Sequence, residues 1–549
     1  VWYNKNGMAR KRVALIIPTN NRSDTGYTRN LPLARLWRNT LRLWGVEADI
    51  IVAGDVTKSW FNANYDFGIV PSLERLTYSM PVYGWVNYSS GDKPIYFSGY
   101  HVPQNTAGTP ATGVVGLTPI GTPTSDIRMI GRRAVWTSSG IKVHIASYTA
   151  SESGALRGLS VNVSTPNLQV LLKPDPELHP GDAHVYIARW HNRYFVPSVS
   201  GSFWRSPWLI PWIMVNEDAD PEWSRPWSGD IDHVISVSAA IGVDYNYYLQ
   251  TFQWLHTFCQ QTGLVVHCGA TTSALNQIRP NDNYLHRNGR NFNAQLQQIH
   301  QILLAEQHRH FPVCLHDHFW TIEDTRASGN ITTFTNPYGT FREMTSPAAF
   351  RAHWKGSMDE MRQMGFSDCH CGPYRYANFA MNQFSERYLR FLRDETPLRA
   401  VRLWAGSCLV TPHTRMMAPA PYTRNPLERR YGIEILDSYD TMFTDMNTAQ
   451  TVMNRQNIAI RGGYGTASDD VELIWARSMG HRFGELMWEK WLRSGALHYH
   501  HQVEMATEYP SPAMYAYYEM RSWRQILAGW IHLGSVTDIV NWRNRVRSM

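Results

Sequence analysis

Lysine is nearly missing from this chain: eight of its 52 cationic residues are lysine and the other 44 are arginine. The net charge is +7, yet no basic run, nucleic-acid motif or basic heptad helix accompanies it. The excess reads as a solvated basic surface, one that would help hold an anionic polymer or surface, and not as a nucleic-acid interface. Long apolar runs are missing too. The stretch Trp208–Val215 is strand-length and interrupted by Pro211, far short of the ~20 residues a membrane-spanning helix needs. Cysteine is scarce, with six residues at 259, 268, 314, 369, 371 and 408. None forms a Cys-x-x-Cys pair, and the gap between Cys369 and Cys371 is too short for a structural zinc site. Cys259 and Cys268 flank an expected helix-to-strand turn, where a disulfide and two buried thiols are equally compatible with the spacing. No glycine-rich phosphate loop follows the first expected strand, which leaves a nucleotide cofactor without support. Aromatic residues, by contrast, abound: 22 Trp, 28 Tyr and 19 Phe. Such rings fill cores and also stack on sugar faces. With 43% hydrophobic and 18% charged residues the composition is globular, and 549 residues suit two or three domains.

Three textures follow one another. Residues 1–100 alternate apolar strands (Arg12–Pro18, Ala48–Ala53, Phe67–Pro71) with a helix over Leu31–Trp44, which predicts a small parallel α/β domain of the flavodoxin-like or amidotransferase-like kind. Residues 101–205 carry short alternating runs separated by Gly, Thr, Ser and Pro, which predicts an antiparallel, sandwich-like domain serving as a spacer or a glycan binder. Residues 206–549 return to strands alternating with helices, beginning with an expected strand at Trp208–Val215, and predict a (β/α) barrel or barrel-like sheet.

Four constellations in the last region carry chemistry. Asn216-Glu217-Asp218-Ala219-Asp220 would stand at the carboxyl end of its strand, where barrel enzymes place functional groups. In an extended chain Asp218 and Asp220 share a face, so one could hold a metal ion while the other takes a proton from water. A second acidic cluster, Asp230-Ile231-Asp232-His233, competes for that role. Leu315-His316-Asp317-His318-Phe319-Trp320 presents two imidazoles two residues apart at a strand end, a common way to offer two nitrogen ligands to one ion. Cys371-Gly372-Pro373-Tyr374-Arg375-Tyr376 is a rigid Gly-Pro-aromatic loop, and Leu497-His498-Tyr499-His500-His501 offers a late histidine able to act as general acid.

In order and spacing, NEDAD, LHDHFW, CGPYRY and ALHYHH resemble the motifs of NodB-like polysaccharide deacetylases. The helix ending EMRQMGF and the tail LAGWIHLGSVTDIVNWRNRV are similar to the family's as well. The resemblance covers residues 206 to 549. The chain departs from the family's pattern: Asp218 and Asp220 are not adjacent, one residue separates the histidines where the family has three, and Cys371 stands where an Arg precedes Gly-Pro. What the resemblance implies is a distorted (β/α) barrel that hydrolyses N-acetyl groups on an amino-sugar polysaccharide. A divalent metal, expected to be zinc, would be held by His316, His318 and one of Asp218 or Asp220. The other Asp would act as base, His498 or else His500 would protonate the departing amine, and Trp320, Tyr374 and Tyr376 would wall the sugar site. Such an enzyme is expected outside the cell or in its envelope, its export signal already removed. Two other classes stay open: a glycoside hydrolase pairing Glu217 or Asp218 with Glu323 or Glu504, and an inactive glycan-binding or structural protein on the same fold.

Overall fold

Val13–Ile17 (β1) is five consecutive apolar residues, all buried, the pattern of a parallel strand covered on both faces. It pairs in parallel with Ala48–Val52 (β2) on one side and Phe67–Val70 (β3) on the other. Thr25–Arg42 (α1) connects β1 to β2, and Lys58–Asn64 (α2) connects β2 to β3. Because β2 and β3 flank β1 on opposite sides, right-handed crossovers put the two helices on opposite faces. Accordingly Ala34 of α1 packs with Ile17 and Val52, whereas Phe61 of α2 packs with Ala14, Ile16 and Ile51. The loops at the carboxyl ends of β1 and β2 are laced together: the Gly54 N–H donates to the Thr19 carbonyl at 2.9 Å, and a Cβ at Gly54 would lie 1.8 Å from the Asn20 carbonyl oxygen.

This computed structural model describes residues 10–71, 84–98, 117–119, 133–144, 159–161, 166–177, 181, 185–196, 208–235, 244–271, 293–317, 358–367, 370–371, 374–379, 386–404, 426–438, 498–501, 505 and 509–548. The chain forms two units: Val1–Ser224 with Met453–Ile474 and Tyr518–Trp530, and Arg225–Val452 with Trp475–Tyr517 and Ile531–Met549.

In the first unit Ile95–Ser98 (β4) lies parallel to β3. The strands that follow are Leu117–Pro119 (β5), Arg133–Trp136 (β6), Lys142–His144 (β7), Leu159–Val161 (β8), Leu168–Pro174 (β9), Ile187–Trp190 (β10) and Arg193–Val196 (β11). β11 runs parallel to β4 and carries the sheet onward, antiparallel, through β10, β9, β6 and β7. The result is one mixed nine-stranded sheet in the order β2-β1-β3-β4-β11-β10-β9-β6-β7, with β5 and β8 forming a separate antiparallel pair. The 101–205 stretch, where a separate sandwich is expected, is described only in part. Its described strands, apart from β5 and β8, extend the first sheet, and one core cluster reaches from Ala14 to Phe195. The junction is pinned by Arg193, fully buried, whose guanidinium donates to the carbonyls of Trp85 and Lys93 at 3.0 Å each and to Asp92 Oδ2 at 2.6 Å.

The unit also contains Leu209–Asn216 (α3). The sequence predicts a strand there, and the structure corrects it. The apolar run of eight, Trp208–Val215, has no periodicity to separate strand from buried helix, and Pro211 sits in the first turn, where a helix tolerates it.

The second unit begins with Arg225–Trp227 (β12) and Gly229–Ile235 (β13), followed by Tyr245–Thr262 (α4) and Val266–Thr271 (β14). Asp244 caps α4 by accepting from the Asn246 N–H at 2.8 Å, and Gly263, at φ +77°, ends it in the left-handed region. Then come Ala294–Glu306 (α5), Val313–Asp317 (β15), His370–Cys371 (β16), Tyr374–Phe379 (β17), Glu386–Glu395 (α6), Leu398–Trp404 (β18), Pro426–Tyr431 (α7), Glu434–Ser438 (β19) and His498–His501 (β20). The helix Pro512–Ile526 (α8), which belongs to this unit up to Tyr517 and to the first unit from Tyr518, follows, and then come Ile531–Leu533 (β21) and Val536–Arg547 (α9). β20, β13, β14 and β15 are mutually parallel in the order β15-β14-β13-β20, and β17, β18 and β19 are parallel in a second ladder that β16 joins antiparallel. β15 also lies against β17. No closed barrel is formed among the described residues. Nor is any described helix long and apolar enough to cross a membrane.

Candidate functional site at the carboxyl edge of the second unit

Because β20, β13, β14 and β15 run parallel, their carboxyl ends share one edge of the ladder. That edge brings together stretches far apart in the chain: Asp232–Ile235 on β13, Ala270–Thr271 on β14, His316–Asp317 on β15 and His500–His501 on β20. Asp232 pairs with His501, and Ile231 with His500.

The ladder is irregular where these residues fall. Between Ile231 and Ile235, β13 advances four residues while β14 advances from Cys268 to Ala270. The extra residues lie among Asp232, His233 and Val234. On β15, Leu315 pairs with Ala270 and Asp317 with Thr271, leaving His316 as an inserted residue. A third irregularity separates Arg375 from Tyr376, with Arg399 unmatched on β18. Bulges of this kind re-aim side chains and concentrate next to active sites.

The opposite edge is sealed. Gly229 opens β13 in contact with its neighbours, since a Cβ there would sit 2.8 Å from Val266 Cγ2 and 3.0 Å from the Tyr517 hydroxyl. Asp230 and His267, near the starts of β13 and β14, are fully buried. Burial, with Cys259, Cys268 and Asp230 nearby, pushes the Tyr517 hydroxyl well above its ordinary pKa. The Val536 N–H at the start of α9 donates to His267 Nε2 at 3.3 Å, which makes that nitrogen an acceptor. Ser535 and Asp538 form a capping box at this terminus. Val536, Ile539 and Val540 pack with Cys314 of β15, Ala400 of β18 and Leu436 of β19. Further along α9, Arg543 donates to the Ile435 carbonyl at 2.7 Å and to Glu428 at 3.1 Å, and Arg547 donates to Glu434 at 2.8 Å and Glu428 at 3.0 Å. All four side chains are nearly inaccessible to solvent. This end of the strands is devoted to holding the unit together, as amino-terminal ends of parallel strands commonly are.

The expected site residues therefore divide. His316 and His500 stand on β15 and β20 within the second unit's ladder, while His498 starts β20 opposite Gly229, toward the sealed end. Tyr374 and Tyr376 are the first and third residues of β17. The side chains of these five lie outside what is described, as do His318, Trp320, Glu323 and Glu504 altogether.

Asp218 and Asp220 belong to the first unit and follow a helix, not a strand. Asp218 is exposed, with φ +49°. Its N–H donates to the Val215 carbonyl at 3.1 Å, and the Ala219 N–H reaches the Met214 carbonyl at 2.9 Å. That pair of bonds is a Schellman C-cap, normally built on glycine. Glu217 turns the other way: the Tyr96 hydroxyl donates to its carboxylate and accepts from Asn216 Nδ2. Tyr96 in turn stacks on Tyr194 at 4.3 Å. Burial raises the Glu217 pKa to about 6, against the smaller opposing effects of Tyr96, Lys11, Asn216 and Arg189.

Two further features complete the picture. Cys259 and Cys268 are buried thiols and do not form the disulfide their spacing allows. On the outer helices, His256 Nε2 lies 2.8 Å from Glu306, whose carboxyl is held below the usual range chiefly by that contact, against burial. Among the described residues no three His, Cys, Asp or Glu side chains converge as metal ligands would.

Asp232, which the sequence offers only as a competitor to NEDAD, reaches this edge on the strand-like Gly-Asp-Ile-Asp-His-Val-Ile, whereas NEDAD follows a helix in the first unit. Compared with protein-family models and with curated proteins, the chain matches none.

Proposed function

We propose that the second unit is a metal-dependent hydrolase that removes N-acetyl groups from an amino-sugar polysaccharide, working at the carboxyl edge of β20, β13, β14 and β15. The observation that carries this reading is the meeting on one edge of Asp232, His316 and His500–His501, with ladder irregularities at Asp232–Val234 and at His316. Imidazole and carboxylate donors suit a borderline divalent cation such as zinc. In this proposal His316, His318 and Asp232 hold it. A cation bound there would lower the pKa of water and polarise an acyl oxygen. Asp317 accepts a proton from the attacking water, and His500 delivers one to the nitrogen of the departing amine. Asp218 and Asp220 have no part, because Asp218 already serves as a helix cap in the other unit.

The test is acetate release from partially N-acetylated amino-sugar polymers, with and without chelator. His500→Gln should reduce the rate ~10²–10⁴-fold while leaving bound metal in place, the range expected for loss of a general acid. Release of reducing ends that survives chelation, with no acetate formed, would point to a glycoside hydrolase.

A further inference from the structure

Two Asn-x-Ser triplets, the acceptor pattern for N-linked glycans, fall among the described residues: Asn21-Arg22-Ser23 and Asn87-Tyr88-Ser89. Such triplets arise often by chance, so the pattern alone decides nothing. The fold treats the two differently.

The Asn21 side chain is in use. Its Oδ1 accepts from the Ser23 N–H at 3.0 Å and from the Ser23 hydroxyl at 2.6 Å, closing a turn just ahead of Asp24, the cap of α1. The same loop is pressed against Gly54.

Asn87 is the reverse case. Its main chain is anchored, because its carbonyl accepts from Lys58 Nζ at 3.0 Å and from Arg193 Nη2 at 3.4 Å. The middle residue is fixed as well: Tyr88 stacks on His191 at 4.3 Å with the rings 9° apart. Ser89 uses its N–H, which donates to Asp92 Oδ2 at 2.9 Å. The Asn87 side-chain amide and the Ser89 hydroxyl make no hydrogen bond among the described residues, and Asn87, Ser89, Ser90 and Gly91 are all exposed. The acceptor is thus presented on a rigid, polar, open loop, where a bulky hydrophilic chain disturbs no packing.

We propose that Asn87 is an N-glycosylation acceptor when the chain passes through a eukaryotic secretory route. The donor is a lipid-linked oligosaccharide. A bond forms between Asn87 Nδ2 and C1 of the first sugar, the bond from C1 to the lipid pyrophosphate oxygen breaks, and the displaced amide proton leaves with the pyrophosphate. This stands apart from the catalytic reading and survives its failure.

The full chain, fused to an export signal and to a terminal tag bearing an efficient Asn-x-Thr acceptor, is expressed in secreting eukaryotic cells. Glycosidase release in heavy-oxygen water then marks every occupied asparagine for peptide mapping. Asn87 should be marked in most molecules and more often than Asn21. Ser89→Ala, which leaves Asn87 in place, should remove one glycan's mass, as should Asn87→Gln. Unmarked Asn87 in molecules whose tag is glycosylated, or heavier marking at Asn21, overturns the assignment.

Discussion

Glu217 and Asp218 are adjacent acids with opposite fates. The Glu217 carboxyl is largely buried against Tyr96, and its pKa is raised from 4.5 to about 6. The fold therefore prefers it protonated. Its contribution to the stability of the first unit is complete below pH 4.5 and is lost as the pH rises through about 6. The loss amounts to about 1–2 kcal/mol, since each tenfold change in proton affinity is worth about 1.36 kcal/mol. Melting curves of wild type and Glu217→Gln across that interval should diverge accordingly, with the variant lacking this component; parallel curves would contradict the assignment. Asp218 is held with positive φ by the cap it completes, a backbone state that costs an L-residue about 1 kcal/mol and glycine nothing. Asp218→Gly should leave acetate release unchanged and leave thermal stability equal or raised by up to ~1 kcal/mol, entropy loss in the unfolded chain offsetting part of the gain. A large loss of activity would return Asp218 to the site.

A helix, not a strand, precedes NEDAD, and a strand carries Asp230-Ile231-Asp232-His233. NEDAD follows the apolar run Trp208–Val215, and such a run fits a buried helix and a buried strand equally. Asp230-Ile231-Asp232-His233 lies on a strand whose first half is a structural anchor and whose second half reaches the candidate edge, so no single role describes the motif. The last helix is similarly divided from its surroundings. The sequence predicts one helix over Met514–Leu533, whereas the structure ends α8 at Ile526, inserts β21 and starts α9 at Val536 with a capping box. Helix α9 is locked by Arg543 and Arg547 against Glu428 and Glu434, groups drawn from points more than a hundred residues apart. Removing one member leaves a buried charge uncompensated, so Glu428→Gln should destabilise the second unit by about 3–5 kcal/mol in denaturant titrations. A change under about 0.5 kcal/mol would show the pairs to be incidental. Gly229→Ala should cost about 1–3 kcal/mol, because its Cβ would press on Val266 and Tyr517.

At the scale of the molecule, the alternation of strands and helices was legible, and so were β1, β2 and β3, because such parallel strands are short, mostly apolar and flanked by turns. What could not be read was where sheets begin and end. β4 gave no pattern distinct from its surroundings, so the join through β11 that merges the α/β and β-rich segments into nine strands stayed hidden. Strand order is likewise a long-range property: nothing local in His498–His501 says that it lies beside β13. That adjacency is what assembles the candidate site, and on it rests the proposal that Asp232, not Asp218 or Asp220, is the acidic partner. Metal content measured on purified wild type, Asp232→Asn and Asp218→Ala, by elemental analysis after equilibration with zinc, tests this most directly. The account predicts that Asp232→Asn loses the ion while Asp218→Ala keeps it at the wild-type ratio; loss in Asp218→Ala with retention in Asp232→Asn would contradict it.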